Sequence, residues 1–309
     1  MPILTAATEL RARPRKVCVA IGVFDGVHLG HQQVIRQTLG DARQHEGVPV
    51  VITFDRHPNA VVAPDRVPPM LHSLPQKLRA IESLGIANTL LIRFDRAFSE
   101  QTGEQFIRSL ALDFGHLHSV CVGSEFTFGH KRSGNVALLK QLGAELKFIV
   151  HGLAAVSLDG EPVSSTRIRE AVRTGDLDSA SQMLGREYSI AGSVIRGDQL
   201  GRKLGFPTAN LDVAGLILPP NGVYAVHARV AGREHRGALN LGLRPTLASP
   251  TPRLQCEVHL LDFAEEIYGE ELELTFATKL RDEQKFPDLA ALQSQIHRDF
   301  AAARACFSA

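Results

Sequence analysis

The stretch Gly22-Val23-Phe24-Asp25-Gly26-Val27-His28-Leu29-Gly30-His31 joins a β-rich run over residues 16–23 to a helical pattern over residues 30–45. Three glycines spaced by four at a strand-to-helix turn let backbone N–H groups approach a phosphate at a helix N-terminus. His28 and His31 flank Gly30, so both imidazoles can face the same anion. The pattern is not the GxGxxG of a dinucleotide fold, and GxxxxGK[ST] occurs nowhere in the chain. A glycine-rich turn with two surface histidines fits the same residues. A zinc pair fits them less well, because helical zinc histidines favour i,i+4 and no third ligand is in view.

Outward from this turn, residues 50–54, 89–92, 119–123 and 146–151 read as strands, and residues 75–84, 102–110 and 135–142 as helices. Continuous apolar strands separated by helices predict a parallel sheet covered on both faces. Helices over residues 164–173 and 177–184 follow, with Asp176 as N-cap of the second and Gly185 as its stop. From Tyr188 the texture changes. Strand candidates over 188–196, 222–230, 236–241, 256–261 and 272–278 are separated by Gly and Pro rather than by helices. That spacing predicts a small antiparallel barrel. Asp288 can cap a final amphipathic helix carrying Leu289, Leu292, Ile296 and Phe300. The fold class is therefore α/β, with an N-terminal parallel-sheet, Rossmann-like domain over residues 1–185 and a C-terminal antiparallel β-barrel domain over residues 186–309.

Composition sets the frame around these elements. A chain of 309 residues has room for two domains at a prior of about 150 residues each. Lys+Arg 34 against Asp+Glu 33 gives a net charge of +1, which advertises neither a nucleic-acid nor an anionic-membrane surface. The longest apolar runs, such as residues 17–24, fall well short of the ~20 residues a membrane span needs. The basic Arg11, Arg13, Arg15 and Lys16 are not followed by a signal-peptide pattern, so a cytoplasmic enzyme is expected. Cys18, Cys121, Cys256 and Cys306 form no CxxC pair and read as small hydrophobes in a reducing compartment. Oligomeric state is not written in the sequence, and a monomer or weak homo-oligomer is the working expectation.

A second feature bears on the first turn. Val163-Ser164-Ser165-Thr166-Arg167-Ile168-Arg169 opens a helix after the last strand of the first half. Hydroxyls there are ordinary N-caps. Yet Thr166 and Arg169 lie three apart on one helical face, where a hydroxyl and a guanidinium can clamp one triphosphate. Histidines after the first strand and Thr-x-x-Arg after the last suit a nucleotidylyltransferase. There a phosphate nucleophile attacks the α-phosphorus of ATP, and positioned cations stabilise the pyrophosphate leaving group. In the second half, Thr208 and Asn210 offer hard oxygen ligands suited to Mg²⁺ between ATP phosphates, beside the φ-fixing Pro207. A simple Pro-Thr turn entering a strand fits them too. Gly201 and Gly205 bracket a loop bearing Arg202 and Lys203, fit to close over phosphates or to be a solvated basic loop.

Several of these motifs together resemble a known family. Gly22–His31, Thr53-Phe54-x-x-His57-Pro58, Gly123-x-x-Phe126-x-Phe128-Gly129 and Ser164–Arg169 look like the adenylyltransferase half of prokaryotic bifunctional riboflavin kinase/FMN adenylyltransferase (FAD synthetase). The run Leu200-Gly201-Arg202-Lys203-Leu204-Gly205-Phe206-Pro207-Thr208-Ala209-Asn210 resembles the kinase flap and Pro-Thr-Ala-Asn motif. Gly222-Val223-Tyr224-Ala225, Asn240-x-Gly242-x-Arg244-Pro245-Thr246, Glu257-Val258-His259-Leu260 and residues 279–286 continue the likeness. It spans roughly residues 16 to 305.

The resemblance implies that riboflavin is phosphorylated by ATP to FMN in the C-terminal domain. FMN is then adenylylated by a second ATP to FAD and pyrophosphate in the N-terminal one, with Mg²⁺ serving both steps. It implies catalytic roles for His28, His31, Arg169 and Glu257, the last facing the ribityl 5′-hydroxyl as base. It implies nucleotide contacts from Gly22, Phe24, Asp25, Gly26, Gly30, Ser165, Thr166, Arg202 and Lys203. Flavin contacts fall to His57, Glu125, Phe128, Arg281, Asp282 and Phe286, and metal ligation to Thr208 and Asn210. The chain departs from the family at Val23, where Asn is frequent, at Arg56, where Pro is frequent, and at Glu125, where a shorter Asp or Asn is usual. A nucleotidylyltransferase for another cofactor precursor would not need the barrel motifs, and a non-enzymatic flavin-binding regulator would not need the intact site residues.

Overall fold

The computed structural model describes residues 3–11, 15–197, 201, 205–246 and 249–307. The chain divides into two compact units, residues 1–70 with 74–167 and residues 71–73 with 168–309.

The first unit is built on six parallel strands: β1 Ile3–Leu4, β2 Val17–Ile21, β3 Val48–Phe54, β4 Asn88–Ile92, β5 Leu117–Gly123 and β6 Ile149–Leu153. Their order in the sheet is β1-β4-β3-β2-β5-β6. β2 is buried at all five positions, as a strand covered on both faces must be, and this is why it reads as an unbroken apolar run. After β2 the chain goes first to β3 on one side and later to β5 on the other. The carboxyl end of β2 is therefore the topological switch point, where open α/β sheets leave a crevice for ligands.

The helices α1 Leu29–Gln44, α2 Leu74–Glu82, α3 Gly103–Phe114 and α4 Val136–Leu146 follow their strands as the alternation predicts. α1 is tied to the sheet by polar contacts as well as apolar ones. Asp41 Oδ2 meets His151 Nε2 at 2.9 Å and accepts from Cys121 Sγ at 3.8 Å. The apolar core on the other face gathers Val19, Ile21, Val50, Ile52, Val120 and Val122 against Ile107, Leu110 and Leu139. Two details differ from the sequence reading. The edge strand β1 is two residues long, too short to leave a period in the sequence. The last strand begins at Ile149 rather than residue 146, because α4 runs on to Leu146 and is closed by Lys147 in the left-handed region.

The second unit begins within helix α5 Ser165–Thr174, which starts in the first unit and continues past residue 167. Helix α6 Leu177–Leu184 has Asp176 as its N-cap, accepting from Ser179 N at 3.0 Å, and Gly185 as its left-handed stop. Six strands then close into a barrel: β7 Ser189–Ile195, β8 Ala209–Leu211, β9 Gly222–Val230, β10 Arg233–Thr246, β11 Ser249–Leu260 and β12 Glu271–Arg281. The order round the barrel is β7-β8-β11-β10-β9-β12, and every pairing is antiparallel. The final helix, α7 Leu289–Cys306, is capped by Asp288, whose Oδ1 accepts from Ala291 N at 2.8 Å. It packs through Ala303 and Phe300 over Ala225 and Ala238, register partners small enough to let a helix approach. Cys18, Cys121 and Cys256 are buried free thiols, as expected, whereas Cys306 is exposed on α7.

Candidate functional site

The turn after β2 is a strained loop held from several sides. Phe24, Gly26 and Val27 all have positive φ, at 53°, 78° and 41°. A β-branched residue in that region is a genuine outlier, and such conformations persist only where the surroundings over-determine them. Here the carbonyls of Val23, Asp25 and Val27 all point into the protein. Val23 O accepts from Thr53 Oγ1 at 3.0 Å, and Asp25 O from Ser165 Oγ at 3.1 Å. Val27 O accepts from Gln32 Nε2 at 3.0 Å. The Phe24 ring folds back over Gly22, where an added Cβ would stand 3.0 Å from Cζ, so any larger residue at 22 would require the ring to shift by a few tenths of an ångström.

At the start of α1, His28 is the N-cap and its Nδ1 accepts from His31 N at 3.4 Å. The two imidazoles stack, with centroids 3.6 Å apart and planes 21° from parallel. The His28 ring lies against Gly30, so Gly30 supplies the room for the pair. Two parallel imidazoles at the N-terminus of a 16-residue helix, where the macrodipole favours negative charge, form a fitting cradle for an anion. Phe24 and Asp25 are buried and shape the loop from below, and Phe24 meets His31 edge-on at 5.2 Å. Both side chains are thus enclosed by the loop rather than open to solvent.

The Ser164–Arg169 segment falls at the start of α5. Ser164 Oγ accepts from Arg167 N at 3.2 Å, which caps the helix, while Ser165 Oγ is the group that reaches the glycine loop. Arg167 is spent on the carbonyls of Leu158 and Glu161, which separates it from Arg169 two residues further along the helix. Thr166 is exposed on the same turn. Of the expected flavin positions, His57 Nδ1 accepts from Asn59 N at 3.1 Å and shapes the turn there. Glu125 is exposed. Phe128 stacks on Phe126 at 5.2 Å and rests on Gly134, where any side chain would strike its ring. It ends a row of rings, Phe54, Phe94, Phe98 and Phe106, that the motif reading did not single out.

Sequence reasoning also passed over Lys77 on α2. Its side chain is 3% exposed, and Nζ donates to Val23 O (3.2 Å), Thr53 Oγ1 (3.1 Å) and Phe54 O (2.8 Å). Burial pulls its pKa down to about 8, with the nearby Asp25 and Asp55 carboxylates acting in the opposite direction.

In the second unit the expected residues gather on β8 and its neighbour. Asn210 and Glu257 are register partners across β8 and β11, and Glu257 faces Asn240 across β10 and β11. Gln255 Nε2 donates to Glu257 Oε1 at 3.3 Å. Thr208 lines two cavities. One, of about 290 Å³, also holds Glu257, Asn240, Arg281, Phe286 and His259. The other, of about 240 Å³, lies between Thr208, Val258 and the 263–268 segment.

Arg281 is fixed by a two-pronged pair with Asp299 on α7, both bonds at 2.8 Å, and its guanidinium sits over the Phe286 ring. Asp282, by contrast, is not among the cavity-lining residues. Its side chain is 86% exposed, and Lys279 beside it holds the carboxyl below the usual range. His259 was read only as part of a motif. Its Nδ1 lies 2.8 Å from Pro207 O, so that nitrogen carries the donated proton, and its ring stacks on Phe300. Burial holds its pKa below the ordinary histidine value, which keeps it a neutral brace for the Pro207–Thr208 turn.

Phe206 N donates to Gly201 O at 2.7 Å, closing the base of the 201–206 loop. Gly201 must lack a side chain there, because a Cβ would stand 2.4 Å from Phe206 O. Arg202 and Lys203 lie outside the described residues. Thr208 lines the cavity with Glu257, and Asn210 lines neither cavity but is the register partner of Glu257; the hydroxyl and amide oxygens of the two residues are hard donors that match Mg²⁺.

Comparisons with known proteins follow this division. The sequence model of the FAD synthetase family matches residues 10–167, and that of the riboflavin kinase family matches residues 184–307. A bifunctional riboflavin kinase/FMN adenylyltransferase of Haemophilus influenzae is 38% identical over 291 residues, 94% of each chain. The Escherichia coli K12 protein of the same description is 36% identical over 309 residues, 99% of this chain and 98% of its own. The crystal structure of a macrolide-efflux protein from Streptococcus pneumoniae superposes with a TM-score of 0.81 at 26% identity, covering 98% of both chains. Among the described residues of the present chain, no helix is long and apolar enough to cross a membrane.

Proposed function

The chain belongs to the family of bifunctional riboflavin kinase/FMN adenylyltransferases, and on that premise we propose which of its residues carry each reaction. The enzyme phosphorylates riboflavin with ATP to FMN and adenylylates FMN with ATP to FAD and pyrophosphate. We assign the second reaction to residues 1–185 and the first to residues 186–309, and we place the enzyme in the cytoplasm as a monomer or weak homo-oligomer.

In the kinase step, riboflavin occupies the cavity of Glu257, Arg281 and Phe286, and ATP the cavity on the other side of Thr208. Glu257 accepts the proton of the ribityl 5′-hydroxyl as that oxygen attacks the γ-phosphorus of ATP. The observation that carries this reading is the side-by-side register of Asn210 and Glu257. It puts the oxygen donor for a phosphate-bound cation next to the carboxylate that serves the nucleophile. Thr208 and Asn210 would hold Mg²⁺, which supplies charge neutralisation on the phosphates. Arg202 and Lys203 complete the phosphate contacts from the loop.

In the adenylyl step, an oxygen of the FMN phosphate attacks the α-phosphorus of ATP and pyrophosphate leaves from the opposite side. His28, His31 and Arg169 stabilise the charge growing on the leaving group, and Gly22, Gly26, Gly30, Ser165 and Thr166 seat the phosphates. Phe24 and Asp25 keep the loop in the shape this requires. His57, Glu125 and Phe128 border the flavin of FMN in this half, with Asp282 at the rim of the flavin site in the other. No covalent intermediate on the enzyme is needed.

Chromatography of the flavins formed from riboflavin and ATP tests the division. FMN and then FAD are expected with Mg²⁺, and neither once the cation is removed with a chelator. Product formation at an undiminished rate after chelation would overturn the assignment of Thr208 and Asn210.

A further inference from the structure

Lys77 has no role in either reaction as set out above, yet its burial needs a reason. Lysine is almost never fully buried without a compensating partner, and an ammonium taken out of water carries a penalty of several kcal/mol. Here all three ammonium protons are used, on Val23 O, Thr53 Oγ1 and Phe54 O. The three acceptors are neutral oxygens, so these bonds satisfy the donors without cancelling the charge, and the Asp25 and Asp55 carboxylates nearby favour the charged form without bonding to it. They also come from two neighbouring strand ends. Val23 belongs to the turn after β2, and Thr53 and Phe54 end β3, which pairs with β2 up to Ile21 and Ile52.

We propose that Lys77 is a positioning residue for adenylyl transfer, clamping the strained 23–27 loop and holding a fixed positive charge beneath it. The proposal rests on the reading that this loop seats the phosphates of ATP. Residues in sparsely populated backbone regions cost on the order of 1–3 kcal/mol each, and this loop has two such non-glycine residues, Phe24 and Val27. Val23 O takes a second bond from Thr53, whose own hydroxyl accepts from Lys77, so the lysine closes a small cooperative network. An apolar residue at position 77 could fill the space under the loop but would leave Val23 O and Phe54 O without this donor. An ammonium there does two things at once. It holds the Val23 carbonyl inward, and it raises the potential where an anion arrives without reorganising during the reaction.

The test compares Lys77→Met, Lys77→Arg and His28→Ala in the full chain. It measures riboflavin-to-FMN and FMN-to-FAD turnover separately, with thermal unfolding as a control. Lys77→Met is expected to lower FAD formation about 100-fold, mainly in kcat, while FMN formation stays within twofold of the parent. Lys77→Arg keeps the charge and the donors and should recover at least tenfold of that loss.

If His28→Ala abolishes FAD formation but folded Lys77→Met makes FAD at the parent rate, the role of Lys77 is wrong and the site stands. If His28→Ala makes FAD normally, the reading of the loop itself fails. Should Lys77→Met not fold, Lys77→Arg decides. FAD formation lowered no more than FMN formation, with the unfolding temperature lowered, would reduce Lys77 to a structural residue and overturn the proposal.

Discussion

The two reaction sites are prepared by opposite means. In the first unit the chemistry sits on a loop whose backbone is held in unfavourable regions by side chains from α1, α2, β3 and α5. In the barrel, Asn210 and Asn240 are both set by strand register against Glu257, which is the ladder partner of each. A loop of that kind gains directed carbonyls and a helix N-terminus, and it depends on residues that touch no substrate. A ladder gives positions that follow from pairing, so the side chain itself is all there is to lose. The first site should therefore be sensitive to remote substitutions and the second mainly to its own residues.

The sharpest test of that contrast lies in the barrel. Glu257→Gln keeps the shape but cannot accept the hydroxyl proton, so FMN formation should fall by about 10²–10⁴-fold. The same variant supplied with FMN should make FAD at the parent rate, and its circular dichroism should be unchanged. A loss of FAD formation from supplied FMN would show that the barrel is not self-contained.

pH separates the sites next. Lys77, at about 8, loses its proton as pH rises through that value, and its charge beneath the loop goes with it. FAD formation should decline above pH about 8 while FMN formation does not, and Lys77→Arg should remove the decline because a guanidinium stays charged. An identical alkaline profile for both steps would break the contrast.

The smallest effect is expected at a feature that serves the barrel cavity only at a distance. Asp288→Ala removes the N-cap of α7 and should cost about 1 kcal/mol in stability, read by chemical denaturation, with kinase turnover nearly unchanged. A large loss of turnover would mean that the cavity wall formed by α7 is less rigid than the ladder opposite it.

Much of this architecture was legible in the sequence because its signals are local. The unbroken apolar run of β2, the change from helix-bearing to strand-only spacing after Tyr188, and the caps Asp176 and Asp288 each depend on a few adjacent residues. The histidine turn and the Pro-Thr-Ala-Asn segment were legible for the same reason. Lys77 was not. On α2 it has the spacing of an ordinary polar residue, and only the closure of three elements around it reveals that it is buried. The row of phenylalanines from Phe54 to Phe128 joins residues far apart in the chain, so no window of sequence contains it. The stacking of His28 on His31 likewise follows a turn with left-handed backbone at Phe24 and Val27, which the propensity of neither residue favours.

Strand β8 is only three residues long. The barrel is closed through it by only two register pairs on each side, Val194 with Leu211 and Ile195 with Asn210, then Ala209 with Val258 and Asn210 with Glu257. Every other seam is longer. Local opening of a fold is easiest where the fewest bonds must break together, so the barrel is expected to open first at the strand bearing Asn210, the residue proposed above as a metal donor. Amide exchange at residues 209–211 should then be the fastest within the barrel ladders and should slow when nucleotide and cation bind. A ligand that requires the closed seam, present at 100 times its dissociation constant, adds about 2.7 kcal/mol to the closed state. Substrate occupancy and barrel integrity are in this sense one equilibrium, with Asn210 as the residue on which both turn.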